Sequence, residues 1–379
     1  MPGAPRRILL AAVLLVLATC AAAVWYALSQ PSMGMQFAPY TPDGEQTPKQ
    51  LRITESPPGG PAAGALAVRL QGRHDALDLL PSDLIEEPDF FDTYEEMAQF
   101  FARQSRLAAM LAEPAVTLTW QAAPGAPTLT SVLSVAPRRD ASTLPFVFWF
   151  QLFAGSASLL IGAWVYALRR GDWGPRMLAL CGLAFPLSTV SAAVYSTREL
   201  AIDGTVFRWL SSVNHTGALM FGCALIAIFL THPRLLTRPL WLLALPVVFG
   251  LWQLGDTFRW WPDQNWGARI PIMVEMLLAI ALAVVQWRRS RGQPAERAAL
   301  RWLALSALVG SGLFVLMVVS VGVFGLFPPL AQGYAFGFFL IMFFGLARGV
   351  GRYRLFDLDQ WAYRVLLWAM GVATVVVGD

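Results

Sequence analysis

Residues 206–231 read VFRWLSSVNHTGALMFGCALIAIFLT, an apolar run of the length that crosses a bilayer. A transmembrane helix needs about 20 consecutive, mostly apolar residues. Runs of similar length and composition occur at 145–168, 176–196, 239–254, 268–287, 300–327, 332–347 and 361–378. Because a soluble core alternates apolar and polar faces instead, these runs predict an α-helical polytopic membrane protein.

The composition also indicates a chain that lies largely in lipid. Hydrophobic residues make up 56% of the sequence and charged residues 14%, with a mean hydropathy of +0.53. Soluble domains carry about 25% charged residues. The three cysteines are far apart and all fall in apolar runs. They indicate helix packing, with neither a disulfide framework nor a metal site.

One further apolar run, residues 8–28, follows the basic pair Arg6 and Arg7. It is longer than the apolar core of a cleavable signal peptide, which has roughly 7–15 residues. Residues 1–28 are therefore interpreted as a cytoplasmic N-terminus and a first, uncleaved transmembrane helix. Counting this helix, the sequence predicts about nine spans.

The connectors between the runs predict the orientation of the chain. Arginines recur in every other connector, whereas the intervening connectors carry acidic residues such as Glu199 and Asp256 and a tryptophan-rich stretch at 260–266. Lys and Arg favour the cytoplasmic side of a membrane. The alternation therefore predicts a multi-pass protein with its N-terminus inside, in agreement with Arg6 and Arg7.

Residues 29–144 differ from the rest of the chain. A Pro- and Gly-rich linker opens the segment, and Thr93 with Glu96 forms a capping-box pattern that starts a helix with one apolar face. Strand-like runs lie at 51–54, 65–70, 116–120 and 129–135. The segment predicts a small α+β extracytoplasmic domain of about 100 residues, large enough for a modest core.

Ionisable and polar side chains inside the spans are the candidates for a site, because burying them in lipid is costly. Asn214 and His215 lie about two turns in from the outer end of the run 206–231, and Glu275 is expected at the same depth in the run 268–287. A His and a carboxylate at one depth can neutralise each other and line a pocket that opens outward. These three residues are predicted to form a ligand- or proton-sensing site. The alternative is interhelical hydrogen bonding that holds the bundle together.

Several function classes find no support in the sequence. It contains no phosphate-binding Gly-rich loop, nucleophile elbow, zinc-ligand spacing or basic soluble domain for nucleic acid. No catalytic, cofactor-binding or metal-binding residue is predicted. The internal repeats common in transporters are not evident. A membrane signal receptor is the favoured interpretation; the alternatives are a transporter or membrane-bound enzyme with an accessory outer domain, and a scaffolding membrane protein.

Residues 345–361 read GLARGVGRYRLFDLDQW. This segment resembles a cytoplasmic link in multi-pass bacterial sensor histidine kinases, and the order of anchor, outer domain and many helices is similar as well. The apolar runs thus divide into a seven-helix bundle at 145–347 and a ninth span at 361–379, and the resemblance implies that 348–360 is a cytoplasmic juxtamembrane link between them. The outer domain loosely resembles a PDZ fold, as in the Gram-positive competence-pheromone receptor kinase.

The same resemblance implies a location and partners. We expect the sensory input half of a two-component system in the bacterial inner membrane, with the lipid bilayer, a small-molecule or peptide ligand, a second copy of the chain and a response regulator as partners. No cofactor is expected in this chain, and ATP and Mg²⁺ would belong to a downstream kinase domain. The odd number of spans predicts a tenth helix and an output region after Asp379.

Overall fold

The computed structural model describes residues 3–42, 49–319 and 332–351. Nine helices lie in this part of the chain: α1 (Gly3–Leu28), α2 (Tyr94–Leu111), α3 (Phe146–Leu168), α4 (Trp173–Ser196), α5 (Gly204–Thr231), α6 (Ala244–Thr257), α7 (Ile270–Arg289), α8 (Pro294–Val319) and α9 (Gln332–Gly351). The strands are β1 (Gln36–Tyr40), β2 (Gln50–Glu55), β3 (Leu66–Gln71), β4 (Ala76–Asp78), β5 (Ala115–Gln121) and β6 (Thr128–Ser134).

Six helical segments within the described residues are long and apolar enough to cross a membrane. They are Pro5–Leu28, Phe146–Leu168, Trp173–Ser196, Gly204–Thr231, Pro239–Thr257 and Asn265–Arg289. The structure is therefore mostly helical and of membrane-protein character, as predicted. The predicted run 300–327 is described only as far as Val319, and α9 contains a shorter apolar helix, Gly333–Ala347. The predicted span 361–378 lies outside the described residues.

The connectors group at two opposite ends of the bundle. The ring of His232, in the connector after α5, lies beside Gly174 at the start of α4. In that same connector, Arg234 Nε is 2.6 Å from Glu296 Oε2 near the start of α8. Three connectors predicted to face the cytoplasm thus meet at one end. The described residues of 29–144 form a separate unit, the sheet domain. It contacts the connector between α4 and α5 at the other end of the bundle.

The sheet domain contains a small antiparallel sheet. Its strand order is β1-β2-β3-β5-β6, and β4 pairs with β3. Strands β2, β3, β5 and β6 match the four predicted strand-like runs. Strand β1 lies in the segment that is predicted as a Pro- and Gly-rich linker, so that prediction is wrong for residues 36–40. Pro39 is tolerated there because β1 is an edge strand.

Helix α2 begins at the predicted capping box. The Glu96 amide donates to Thr93 Oγ1 at 3.2 Å, and the Thr93 amide donates to Glu96 Oε2 at 3.3 Å. Its apolar residues then divide between two cores. The first half packs into the bundle core through Tyr94, Met97, Phe100 and Phe101. The second half packs into the sheet core through Leu107, Met110 and Leu111. One helix therefore belongs to both cores.

Candidate functional site

The connector between α4 and α5 is the main attachment point of the sheet domain. The Arg198 guanidinium donates to the carbonyl oxygens of Asp83 and Ile85 at 2.8 Å each, and to Gln104 Oε1 at 3.0 Å. It also lies 4.7 Å from the centre of the Phe207 ring. Burial lowers the pKa of Arg198 to about 10. The cation therefore stays charged at neutral pH and ties together parts of the chain distant in sequence.

The next residue in this connector makes a second attachment. The Glu199 carboxylate accepts hydrogen bonds from the Met33 amide at 2.8 Å, the Met35 amide at 3.2 Å and the Ser32 hydroxyl. Burial raises the pKa of Glu199, while these donors favour its charged form. The segment that leads from α1 into the sheet is therefore fixed to the same connector.

A third attachment places a carboxylate of the sheet domain within the end of the bundle. Tyr195 Oη donates to Glu87, with 2.6 Å to Oε2 and 2.8 Å to Oε1, and Asn214 Nδ2 lies 3.4 Å from Glu87 Oε2. Asn214 also donates to the Tyr195 hydroxyl. Glu87 is 2% exposed, and burial raises its pKa well above the usual range. The predicted site residue Asn214 thus contacts the sheet domain.

His215 lies one residue further along α5 and belongs to a different cluster. Its Nδ1 is 3.5 Å from Asp256 Oδ2 on α6, and Asp256 Oδ1 accepts a hydrogen bond of 2.8 Å from the Tyr94 hydroxyl on α2. Burial and the nearby Asp256 charge raise the pKa of Tyr94. Gly267 packs so closely that a Cβ would overlap Tyr94 and Asp256. This cluster joins the sheet domain to α5 and α6.

A cavity of about 180 Å³ lies beside this cluster. Met97 and Phe101 of α2 form one wall, and residues of α5 and of the end of α6 form the others, with His215 and Asp256 among them. Two arginines, Arg208 and Arg259, also line it. The cavity is therefore formed jointly by the sheet domain and the bundle.

Glu275 lies elsewhere. Its Oε1 accepts a weak hydrogen bond from Cys223 Sγ at 3.2 Å, and its side chain packs against Gly222. Gly222 follows His215 on α5 by about two turns, or roughly 10 Å along the helix axis. The expected pair of His215 and Glu275 is therefore not formed. Glu275 is fully buried, and its Oε2 has no hydrogen-bond partner among the described residues.

The mismatch has a physical origin in how the helices pack. Helix α5 begins at Gly204 and the helical segment that contains α7 begins at Asn265, so both start before the predicted runs, yet Glu275 lies against Gly222 of α5 and not against His215. Helix α6 in turn continues to Thr257, which brings Asp256 into the bundle although the sequence places it in a connector. An acidic residue directly after an apolar run was the available signal for Asp256.

No protein-family model, curated protein or solved structure matches this chain. Within the described ranges, no group of three or more His, Cys, Asp or Glu side chains is placed to hold a metal ion. The functional conclusions therefore rest on the geometry of the chain itself.

Proposed function

We propose that the protein is a membrane-embedded signal receptor whose ligand occupies the cavity beside His215. The single observation that carries this proposal is that α2 forms a wall of the cavity and also belongs to the core of the sheet domain. A ligand that binds two arrangements of α2 with different affinity shifts the balance between them. Such a shift would move the sheet domain relative to α5 and α6.

The finer architecture is part of the same proposal. We propose about nine spans, with the N-terminus in the cytoplasm of a bacterial cell and the sheet domain outside. The grouping of the arginine-bearing connectors at one end, opposite the sheet, supports this orientation. A single long helix packed on an antiparallel sheet is compatible with a PDZ-like outer domain.

By its resemblance to sensor histidine kinases, the chain would supply the sensory input half of a two-component system. In this proposal two copies associate, and a kinase region that uses ATP and Mg²⁺ signals to a response regulator. The three attachments of the sheet domain to the bundle support a receptor, because they connect an outer event directly to α4 and α5.

Filling the cavity with a side chain tests the proposal without a known ligand. Ser212 lines the cavity, so Ser212→Trp would occupy part of it. Amide hydrogen exchange would be compared between this variant and the wild-type protein in lipid nanodiscs, with Leu251→Trp as the control because Leu251 is exposed on α6. We expect Ser212→Trp to change exchange in α2 and in the strands of the sheet, and the control to change neither.

A change confined to α5 and α6 would contradict the receptor proposal. Altered exchange at the arginine-bearing ends of the helices, without any in the sheet, would instead favour transport, because a transporter must open its site toward the opposite side.

A further inference from the structure

We infer that the cavity beside His215 binds a small amphipathic anion, with its negative group held by Arg208 and Arg259 and its apolar part against Met97 and Phe101. This inference rests on the proposed function only in taking that cavity as the ligand site.

The charge of the cavity favours an anion. Arg208 on α5 and Arg259 just after α6 both line the cavity. Burial lowers the pKa of Arg259, and the neighbouring Arg208 charge lowers it further. Two guanidinium groups that repel each other in a shared cavity become mutually compatible when a carboxylate or phosphate lies between them.

Asp256, which lines the same cavity, already has partners for its carboxylate. Asp256 attracts Arg259 electrostatically, but its two oxygens accept from Tyr94 and face His215. No ion pair joins either arginine to a carboxylate in the described part of the chain. One guanidinium N–H of Arg208 donates to the Thr257 carbonyl at 3.2 Å. Arg259 Nε is buried and has no hydrogen-bond partner among the described residues. Most of the guanidinium donors are therefore available to a ligand.

The backbone holds Arg259 in a conformation that local sequence does not favour. Its φ is 59°, and it is the one non-glycine residue with positive φ among those described. The turn is closed by the Arg259 amide, which donates to the Asp256 carbonyl at 3.0 Å, and by the Trp260 amide, which donates to the Gly255 carbonyl at 2.7 Å. These two bonds form a Schellman motif that ends α6, and the motif fixes the position of Arg259 beside the cavity.

The space limits the size of the ligand. The cavity volume of about 180 Å³ is close to that of a site that holds one benzene ring, about 150 Å³. Trp209 and Phe258 add apolar surface to Met97 and Phe101. A ring-sized organic acid fits this combination. A phospholipid headgroup offers the same anionic chemistry, and the exposed Trp209, Phe258 and Trp260 lie where aromatic residues gather at a membrane interface.

Benzoate is the probe for an acid in solution, and phosphatidylglycerol is the probe for a lipid. The full chain would be placed in phosphatidylcholine nanodiscs and titrated with benzoate by calorimetry and by tryptophan fluorescence. A second series of nanodiscs would contain phosphatidylglycerol. The variants are Arg208→Gln, Arg259→Gln, Arg259→Lys and, as a control of equal charge change, Arg73→Gln on the exposed surface of the sheet domain. Melting temperatures verify that each variant is folded.

We expect benzoate to bind the wild-type protein and to bind each arginine-to-glutamine variant at least tenfold more weakly. Arg259→Lys should recover part of the affinity because it restores the charge, and Arg73→Gln should match the wild-type protein. If the site binds phosphatidylglycerol, this lipid should compete with benzoate in the wild-type protein but not in the glutamine variants. That result would also support the anion site. The inference is overturned if the wild-type protein binds neither probe, or if the glutamine variants bind them equally well.

The failure of this inference can be distinguished from failure of the proposed function. If benzoate binds at the arginines but leaves exchange in α2 unchanged, the anion site stands and the receptor proposal fails. If Ser212→Trp alters exchange in the sheet but neither probe binds, the receptor proposal stands and the anion inference fails.

Discussion

Glu87 of the sheet domain accepts hydrogen bonds of 2.6 and 2.8 Å from the hydroxyl of Tyr195 at the end of α4. The two residues are 108 positions apart in sequence. Their contact takes place inside the mouth of the bundle, where Asn214 of α5 joins it. The sheet domain is thus attached to the helices through a buried ionisable group, which makes the attachment sensitive to pH.

Replacing Glu87 with glutamine should flatten the dependence of stability on pH. Burial raises the pKa of Glu87 in the folded protein above its unfolded value. Its contribution to stability is therefore fully present below the unfolded pKa and is lost as the pH rises through the folded one. As the pH rises above the ordinary carboxyl range, the melting temperature of the wild-type protein should fall relative to that of Glu87→Gln, as measured by differential scanning fluorimetry.

Glu199 provides a comparison for this experiment. Burial also raises its pKa, so Glu199→Gln should reduce the dependence of stability on pH in the same direction. Above the folded pKa, however, this variant also loses the charged acceptor of the Met33 and Met35 amides. Parallel melting curves for the wild-type and Glu87→Gln proteins would contradict a role for Glu87 in the pH dependence.

Removing the Arg198 side chain should loosen the sheet domain. Arg198→Ala leaves the carbonyl groups of Asp83 and Ile85 without their donor. Hydrogen bonds to charged groups contribute about 1.5–3 kcal/mol each, so we expect a loss of about 3 kcal/mol in the free energy of unfolding. Denaturant unfolding monitored by tryptophan fluorescence measures it. Arg73→Ala, on the exposed surface, should stay within about 0.5 kcal/mol of wild type.

Gly204→Ala should push α2 away from α5. A Cβ at position 204 would overlap the carbonyl group of Phe101 on α2. Neither backbone can yield without breaking the hydrogen bond of 2.9 Å from the Gly204 amide to Ser105 Oγ. We expect a lower melting temperature and faster amide exchange in α2. Gly250→Ala on α6, where a Cβ meets open space, should be neutral or stabilising by up to about 1 kcal/mol. Equal effects of the two substitutions would argue against close α2–α5 packing.

The two predicted site residues His215 and Glu275 should behave differently in ligand binding. His215 lines the cavity and faces Asp256, so His215→Ala should weaken benzoate binding several-fold. Glu275 contacts Cys223 and Gly222, about two turns away along α5. Glu275→Gln should therefore leave the benzoate affinity within about twofold of wild type by calorimetry. Loss of binding in Glu275→Gln would show that the two positions are coupled.

The sequence predicted the features that depend on local composition and spacing. The length of the apolar runs located five of the bundle helices, and the Thr93 and Glu96 pattern located the start of α2. Both signals act within a few residues. Short strand-like runs located β2, β3, β5 and β6 in the same way, but they located neither β1 nor β4.

The partners of the buried polar residues could not be predicted, because they depend on how distant segments pack. Glu87 lies in the acidic stretch 83–89, and its burial depends on Tyr195 and Asn214, which are more than 100 residues away in sequence. Asp256 was expected in a connector, and it takes the place beside His215 that was assigned to Glu275. A shift of one helical turn at a helix end is sufficient to exchange one carboxylate for another.

The division of α2 between two cores also bears on how the protein can be dissected. A fragment limited to residues 29–144 would retain the sheet and the Leu107 half of α2, but it would leave Tyr94, Met97, Phe100 and Phe101 facing water. Such a contiguous aromatic surface promotes self-association. Oligomers of that fragment would arise because the bundle helices that normally cover this surface are missing, and they would not identify a physiological interface. Biophysical work on the sheet domain is best carried out with the helices attached.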